Sequence, residues 1–211
     1  EAFASWATGI VLAELEPEGG HELDAIADSV SAMGLDSLAS ARAVREPITL
    51  NEDIRNAYDS ITYDKGLAVI AMVDAYFGAD VFRPALGRYI QHFEDSVADS
   101  SDFFDVIGQE TNEPNLTKAF RSFVERSGLP VVRAELLCPD EGVPEVRLTQ
   151  RRYKPLGSQI EQDQPWTIPF CLKAGADETL IRRCDMINRR SATLKLESLN
   201  CVGIAMETFR C

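Results

Sequence analysis

The chain has 211 residues, 45% of them hydrophobic, enough for one large or two ordinary domains with real cores. Against 34 acidic side chains stand only 21 basic ones, and the net charge of −13 argues against a nucleic-acid groove and against nucleic acid as a partner. Neither a signal-peptide pattern nor an apolar run of membrane-spanning length occurs, so no membrane segment is expected within the chain.

The first part reads as helix after helix. Glu1 to Glu16 is dense in Ala, Leu and aromatic residues and ends at Pro17-Glu18-Gly19-Gly20. A second run from Glu22 to about Val44 carries Leu23, Ile26, Val30 and Met33, with a break expected at Gly34 and Leu38 beyond it. Arg45-Glu46-Pro47 then turns the chain into an extended link. From Leu67 the apolar residues Val69, Ile70, Val73, Tyr76 and Phe77 keep a helical period, and Gly78 sits where a glycine ends a helix. Tyr63, Asp64, Lys65 and Gly66 stand at its mouth, where a phenol can point into a cleft. Phe82, Leu86, Tyr89, Ile90, Phe93 and Val97 make the next apolar face. Ser100-Ser101-Asp102 is expected to cap Phe103 to Gln109. Asn115 to Ser127 buries Leu116, Phe120, Phe123 and Val124 and stops at Gly128, with Pro130 following.

Past Pro130 the pattern changes to alternation at regular spacing. Six strands are expected: Val131–Cys138, Glu145–Tyr153, Pro165–Lys173, Leu180–Ile187, Thr193–Leu199 and Val202–Phe209, with turns at Pro139-Asp140-Glu141-Gly142 and at Lys173-Ala174-Gly175-Ala176-Asp177. That grammar predicts a small β-sandwich. The charge changes at the same place: residues 1–131 hold 23 acidic and 9 basic side chains, residues 132–211 hold 11 and 12. An α+β chain of two domains, 1–131 and 132–211, is therefore expected.

All five cysteines (Cys138, Cys171, Cys184, Cys201 and Cys211) lie in the second part. Their odd number and the lack of any CxxC indicate neither a disulfide framework nor a zinc ribbon, and buried free thiols in strands are the expectation. His21-Glu22-Leu23-Asp24-Ala25 begins like a zinc-binding H-E-x-x-H, but the fifth position is Ala, which has no lone pair to give. His21 follows two glycines at the exposed start of a helix, and His92 falls between the apolar positions of an amphipathic one; neither reads as a ligand. Asp95, Asp99, Asp102 and Asp105 lack the glycine and spacing of a calcium loop and read as a solvated face with a helix cap. The doublets Arg151-Arg152, Arg182-Arg183 and Arg189-Arg190 would send one arginine to each face of a strand, which makes no phosphate-binding stripe. Asn115-Leu116-Thr117 reads as a helix start before it reads as a glycosylation site.

The ordered set of motifs resembles a known family. EAFASW is similar to the Asn-Glu-Gly-Phe-Ala segment of the gluzincin aminopeptidases, the aminopeptidase N or M1 group, and ITYDKG is similar to its tyrosine motif. LTKAFRSFVERSGLPVV resembles the helix closing its catalytic domain, and PWTIPFCLK the β-sandwich that follows. The resemblance implies an all-α C-terminal part of a thermolysin-like catalytic domain followed by a β-sandwich domain. It implies a zinc-dependent hydrolase that removes N-terminal amino acids from peptides, with Glu1 as the third zinc ligand and Tyr63 as the stabiliser of the oxyanion. In that family an H-E-x-x-H helix upstream of the ligand glutamate carries two histidines and the general base. Those groups are absent from this sequence, so the chain is expected to be a fragment that binds zinc poorly alone, is inactive alone and pairs with missing N-terminal domains of its own polypeptide. The parent is expected in the cytoplasm or periplasm, with a lean to the cytoplasm.

Each assignment has a plainer alternative. A glutamate in the first turn of a helix is favoured by the macrodipole alone. A tyrosine at a helix mouth can pack its ring and give its hydroxyl to a backbone partner. Asp64 suits the positive end of a helix, and Gly66 would let a neighbouring backbone approach. At the level of the whole protein, the alternative is a noncatalytic scaffold built on an aminopeptidase-like fold.

Overall fold

A computed structural model describes residues 1–139, 142–176, 179–201 and 203–208. Helices come first: α1 (Ala2–Leu15), α2 (His21–Asp36), the single turn α3 (Asp53–Asn56), a π-helical turn (Ile61–Lys65) that runs directly into α4 (Gly66–Phe77), then α5 (Ala79–His92), α6 (Ser100–Glu110) and α7 (Leu116–Val124). Strands follow: β1 (Pro130–Leu137), β2 (Glu145–Arg152), β3 (Ile168–Ala176), β4 (Thr179–Ile187), β5 (Ser191–Lys195) and β6 (Ala205–Thr208). They pair antiparallel in two three-stranded sheets, ordered β1-β2-β5 and β4-β3-β6.

The local causes are those visible in the sequence. α4 ends at Gly78, whose N–H still bonds the Asp74 carbonyl at 2.7 Å and whose φ of 83° then turns the following chain out of the helix. α7 buries Leu116, Phe120, Phe123 and Val124, and Phe120 stacks on Phe104 of α6 with centroids 4.1 Å apart. β2 alternates cleanly, with Val146, Leu148 and Gln150 inward. Gln150 clamps the backbone on both sides of the fully buried Trp166, donating to its carbonyl and accepting from its N–H, each at 2.9 Å.

One apolar core runs through both parts. Phe82, Ile107 and Phe120 from the helices join Val146 and Leu148 from one sheet and Phe170 and Leu172 from the other. α4 packs against β3, and Arg182 of β4 donates to the last carbonyls of that helix, Ala75 at 2.6 Å and Tyr76 at 3.0 Å. Among the described residues no helix is long and apolar enough to cross a membrane.

Several boundaries depart from expectation. Gly34 does not break α2, because one glycine costs a helix only about 1 kcal/mol. The helix ends at Asp36, well short of Val44, where that side chain turns into the interior. Its stripe of Leu23, Ile26 and Val30 faces outward. α5 stops at His92, leaving Ile90 half-exposed and Val97 92% exposed, so the expected apolar face ends early. β3 continues through Lys173 to Ala176, where a turn was expected to begin. Asp140, Glu141, Asp177, Val202 and Phe209, named in expected turns and strand ends, lie outside the described residues.

The cysteines correct a second expectation. Cys138 is bonded to Cys201, and Cys171 to Cys184. In the β3–β4 hairpin Ala176 faces Thr179, which places Cys171 directly opposite Cys184 with Cα atoms 4.1 Å apart. Register, set by where the turn falls, makes that pair, and cysteine spacing alone does not reveal it. Cys211 lies outside the described residues.

The α6 cap also sits one residue earlier than expected. Asp99 accepts from the N–H groups of Ser101 (2.6 Å) and Asp102 (3.1 Å), and the Asp102 carboxylate returns a bond to the Asp99 N–H at 2.8 Å. The N–H groups of Asp102 and Ser101 hold the Asp99 carboxyl below its ordinary value of 3.8. A depressed carboxyl contributes stability that is complete above the unfolded value and is lost as pH falls through the lower folded one. Asp99→Ala should therefore speed amide exchange in the first turn of α6 near neutral pH. The gap from the unmodified protein should close in acid.

Candidate active site

Gly66 decides where the site forms. It lies at φ −62° and ψ −45°, helical values open to any residue, so its need is for space. A Cβ built on it would stand 2.4 Å from the Cβ of Ala2. The start of α1 thus presses directly on the junction of the π-turn and α4, as the glycine in the sequence suggested. Glu1 and Tyr63, 62 positions apart in sequence, become neighbours there.

Glu1 is the exposed N-cap residue of α1; its carbonyl accepts from Ser5 at 3.0 Å and its side chain caps no N–H of the helix. Tyr63 is half-buried in the π-turn. Partial burial, then a hydrogen bond to the Glu1 carboxylate and the negative charge on it, push the Tyr63 phenol above its ordinary 10.0. At neutral pH it is a protonated donor beside a carboxylate. Asp64 does not gain from a helix start: partial burial and the nearby Asp28 and Asp59 raise its carboxyl against a bond from Ser60.

The turn carrying Tyr63 is held on both sides. Upstream, the Asp59 carboxylate accepts the Thr62 N–H at 3.1 Å and is gripped by the Arg42 guanidinium at 2.5 and 3.1 Å. Arg42 also donates to the Thr62 hydroxyl at 2.6 Å and to the Ala43 carbonyl at 2.6 Å. Burial would raise the Asp59 carboxyl, but the bond from Arg42 and the Thr62 N–H prevail and hold it low. Downstream, the buried Lys65 ammonium lies 2.9 Å from the Asp36 carboxylate. Burial lowers its pKa from 10.5, and the Asp36 charge opposes that shift. Beside Glu1 opens a cavity of about 530 Å³ walled by Phe3, Arg42, Pro47, Tyr89, Phe103 and other residues.

Neither histidine joins this site. His21 pairs with Glu16 at 3.2 Å beyond the opposite end of α1, roughly 20 Å of helix rise from Glu1. His92 ends α5, exposed, with its ring against Phe93. Among the described residues no three His, Cys, Asp or Glu side chains converge on a point that could hold a metal ion. These residues alone do not fit a zinc centre, and Glu1 offers a single carboxylate to one.

A family model described as the peptidase family M1 domain matches residues 1–126. The chain belongs to peptidase family M1. Similar family members extend past the matched region into the strands. Aminopeptidase M1 of Arabidopsis thaliana is 28% identical over 205 residues, covering 97% of this chain and 22% of the relative. The alanine/arginine aminopeptidase of Saccharomyces cerevisiae is 26% identical over 199 residues, 94% of this chain and 22% of the relative. Aminopeptidase M1-B of Oryza sativa subsp. japonica reaches 33% over 136 residues, 64% of this chain and 15% of the relative. The chain thus spans about a fifth of the length of such M1 aminopeptidases.

Sequence reasoning singled out Glu1, Tyr63 and Gly66, and the structure brings all three together. It missed Arg42, Asp59, Asp36 and Lys65, which fix the turn. Lys65 did carry a signal: a lone lysine entering the apolar run from Leu67 must either reach water or find a buried partner.

Proposed function

We propose that this chain is the part of a zinc-dependent aminopeptidase that contributes one metal-binding carboxylate, Glu1, and the oxyanion donor, Tyr63, to hydrolysis of the N-terminal residue of a peptide. The close approach of Ala2, the residue after Glu1, to Gly66 in the turn that carries Tyr63 supports this reading. The remaining ligands and the general base belong to residues outside this sequence, in keeping with the fraction of its relatives that it spans. Residues 1–131 would then be the helical end of a thermolysin-like catalytic domain and residues 132–211 a β-sandwich domain packed on it.

Tyr63 has a definite task in this scheme. As negative charge builds on the carbonyl oxygen of the scissile bond, a hydrogen bond from a fixed neutral phenol strengthens with it and lowers the barrier. A phenol with an ordinary pKa near 10 holds its proton at neutral pH. The partner implied is a peptide with a free N-terminus.

Comparing the full-length protein with the isolated 211-residue chain on a panel of amino-acid amides tests the proposal. The full-length protein should release N-terminal residues and hold zinc, and Glu1→Ala should deplete that zinc. The isolated chain should show no turnover even with zinc added. Zinc-dependent turnover by the isolated chain that survives Glu1→Ala would overturn the assignment. A full-length protein with neither zinc nor turnover would identify a scaffold instead.

A further inference from the structure

The downstream anchor of the Tyr63 turn has an unusual composition. The side chains of Lys65 and Asp36 are 8% and 3% exposed, with Nζ 2.9 Å from the carboxylate. Lys65 also donates to the Arg126 carbonyl at 2.8 Å and reaches toward that of Gly128 at 3.5 Å. The other Asp36 oxygen accepts the Gly128 N–H at 2.7 Å. Three pieces of chain far apart in sequence meet here: the end of α2, the π-turn and the connector from α7 to β1.

Stability is a poor reason for such a pair. Desolvating two charges cancels most of their attraction, and apolar side chains of similar volume commonly serve as well or better. Apolar neighbours are close by, since Met33, Met72, Phe123, Ile168 and Phe170 wall a space of about 280 Å³ against the same two residues. What apolar side chains could not supply is direction, because only hydrogen bonds to two particular carbonyls fix where the end of the turn must lie.

Direction matters because the turn is π-helical. Such turns hold one residue more than an α-turn and are uncommon outside functional sites. Relaxation to α geometry would shift the register by one residue, a rotation of about 100° about the helix axis. The Tyr63 side chain would then swing away from the start of α1, which presses on the same junction at Gly66.

We infer that Lys65 and Asp36 are positioning residues that lock the register of the π-turn against the α7–β1 connector and so aim the Tyr63 hydroxyl. The inference rests on the catalytic reading of Tyr63 given above. Lys65 touches no substrate in this scheme and acts through the turn.

The test uses the full-length enzyme and follows kcat, KM and thermal unfolding together. Lys65→Met should lower kcat about 10- to 100-fold with KM within about threefold, the scale expected for a catalytic group displaced by about an ångström. The double variant Lys65→Met/Asp36→Leu leaves no orphaned charge and should recover melting temperature without recovering kcat. In a Tyr63→Phe background, Lys65→Met should cost less than about threefold more, because no donor remains to be misaimed. Should the apolar variants not fold, Asp36→Asn keeps an acceptor for Gly128 and is expected to lower kcat about tenfold. Recovery of kcat along with stability in the double variant would overturn the inference, as would an undiminished effect without the Tyr63 hydroxyl, or full kcat in Asp36→Asn. Full kcat in Tyr63→Phe alone would instead overturn the catalytic reading of Tyr63.

Discussion

Replacing Tyr63 by phenylalanine in the full-length protein should lower kcat about 100- to 1,000-fold, the usual effect of removing one preorganised oxyanion donor. The ring and its packing stay, so bound zinc and melting temperature should change little. KM should move far less than kcat, because the lost bond strengthens only as charge develops on the substrate oxygen. If the phenol served only to meet the Glu1 carboxylate, turnover would survive and the loss would appear as a small change in unfolding. Near-native kcat in the variant would remove the role altogether.

Gly66→Ala should be the next most damaging change, and more so to activity than to stability. The backbone at Gly66 is already helical, so alanine gains about 1 kcal/mol in propensity. Against this, its Cβ would lie 2.4 Å from that of Ala2, where carbon atoms rest at about 3.5–4.0 Å. Neither methyl can swing aside, so the helices must separate. Overpacking of this kind costs about 1–3 kcal/mol, leaving a net loss of roughly 0–2 kcal/mol. Separation also carries Glu1 away from Tyr63, since Glu1 directly precedes Ala2. A displacement of about 1 Å near reacting groups typically costs around 100-fold. Restoring the gap from the other side, with Ala2→Gly in the same protein, should recover most of the lost kcat/KM. Full activity in Gly66→Ala would show that the approach of α1 does not set the site.

The two kinds of structure were unequally legible in the sequence. All six strands were visible, β2 through the alternation that buries Val146, Leu148 and Gln150, and β3 as a short apolar run buried along most of its length. The helices were visible through apolar period and through Gly78, which directly follows α4, whereas α7 ends at Val124, short of the expected stop at Gly128. Extent was harder to read where burial depends on a distant neighbour: Val97 is as apolar as Val73, but only Val73 has something to pack against. Within the site, Glu1 and Tyr63 stood out by motif, and Gly66 by its lack of a side chain. Lys65 at the edge of an apolar run hinted at a buried partner, but Asp36 taken alone resembles a solvated charge and only the fold shows that the two meet. The π-turn was hidden for a related reason: one extra residue in a helix leaves the apolar period on either side intact.

The Cys138–Cys201 bridge turns most of the strand region into a covalent ring. β2 to β5 lie wholly inside it, as does the stretch between β2 and β3 where Leu156 stands fully exposed. A protease that cuts at Leu156 opens the ring without releasing a piece, so the nicked chain keeps its full mass until a reductant is added. A cut in the connector from α7 to β1 lies outside the ring and releases its pieces on either gel, so comparing reducing with non-reducing gels tells the two kinds of cut apart.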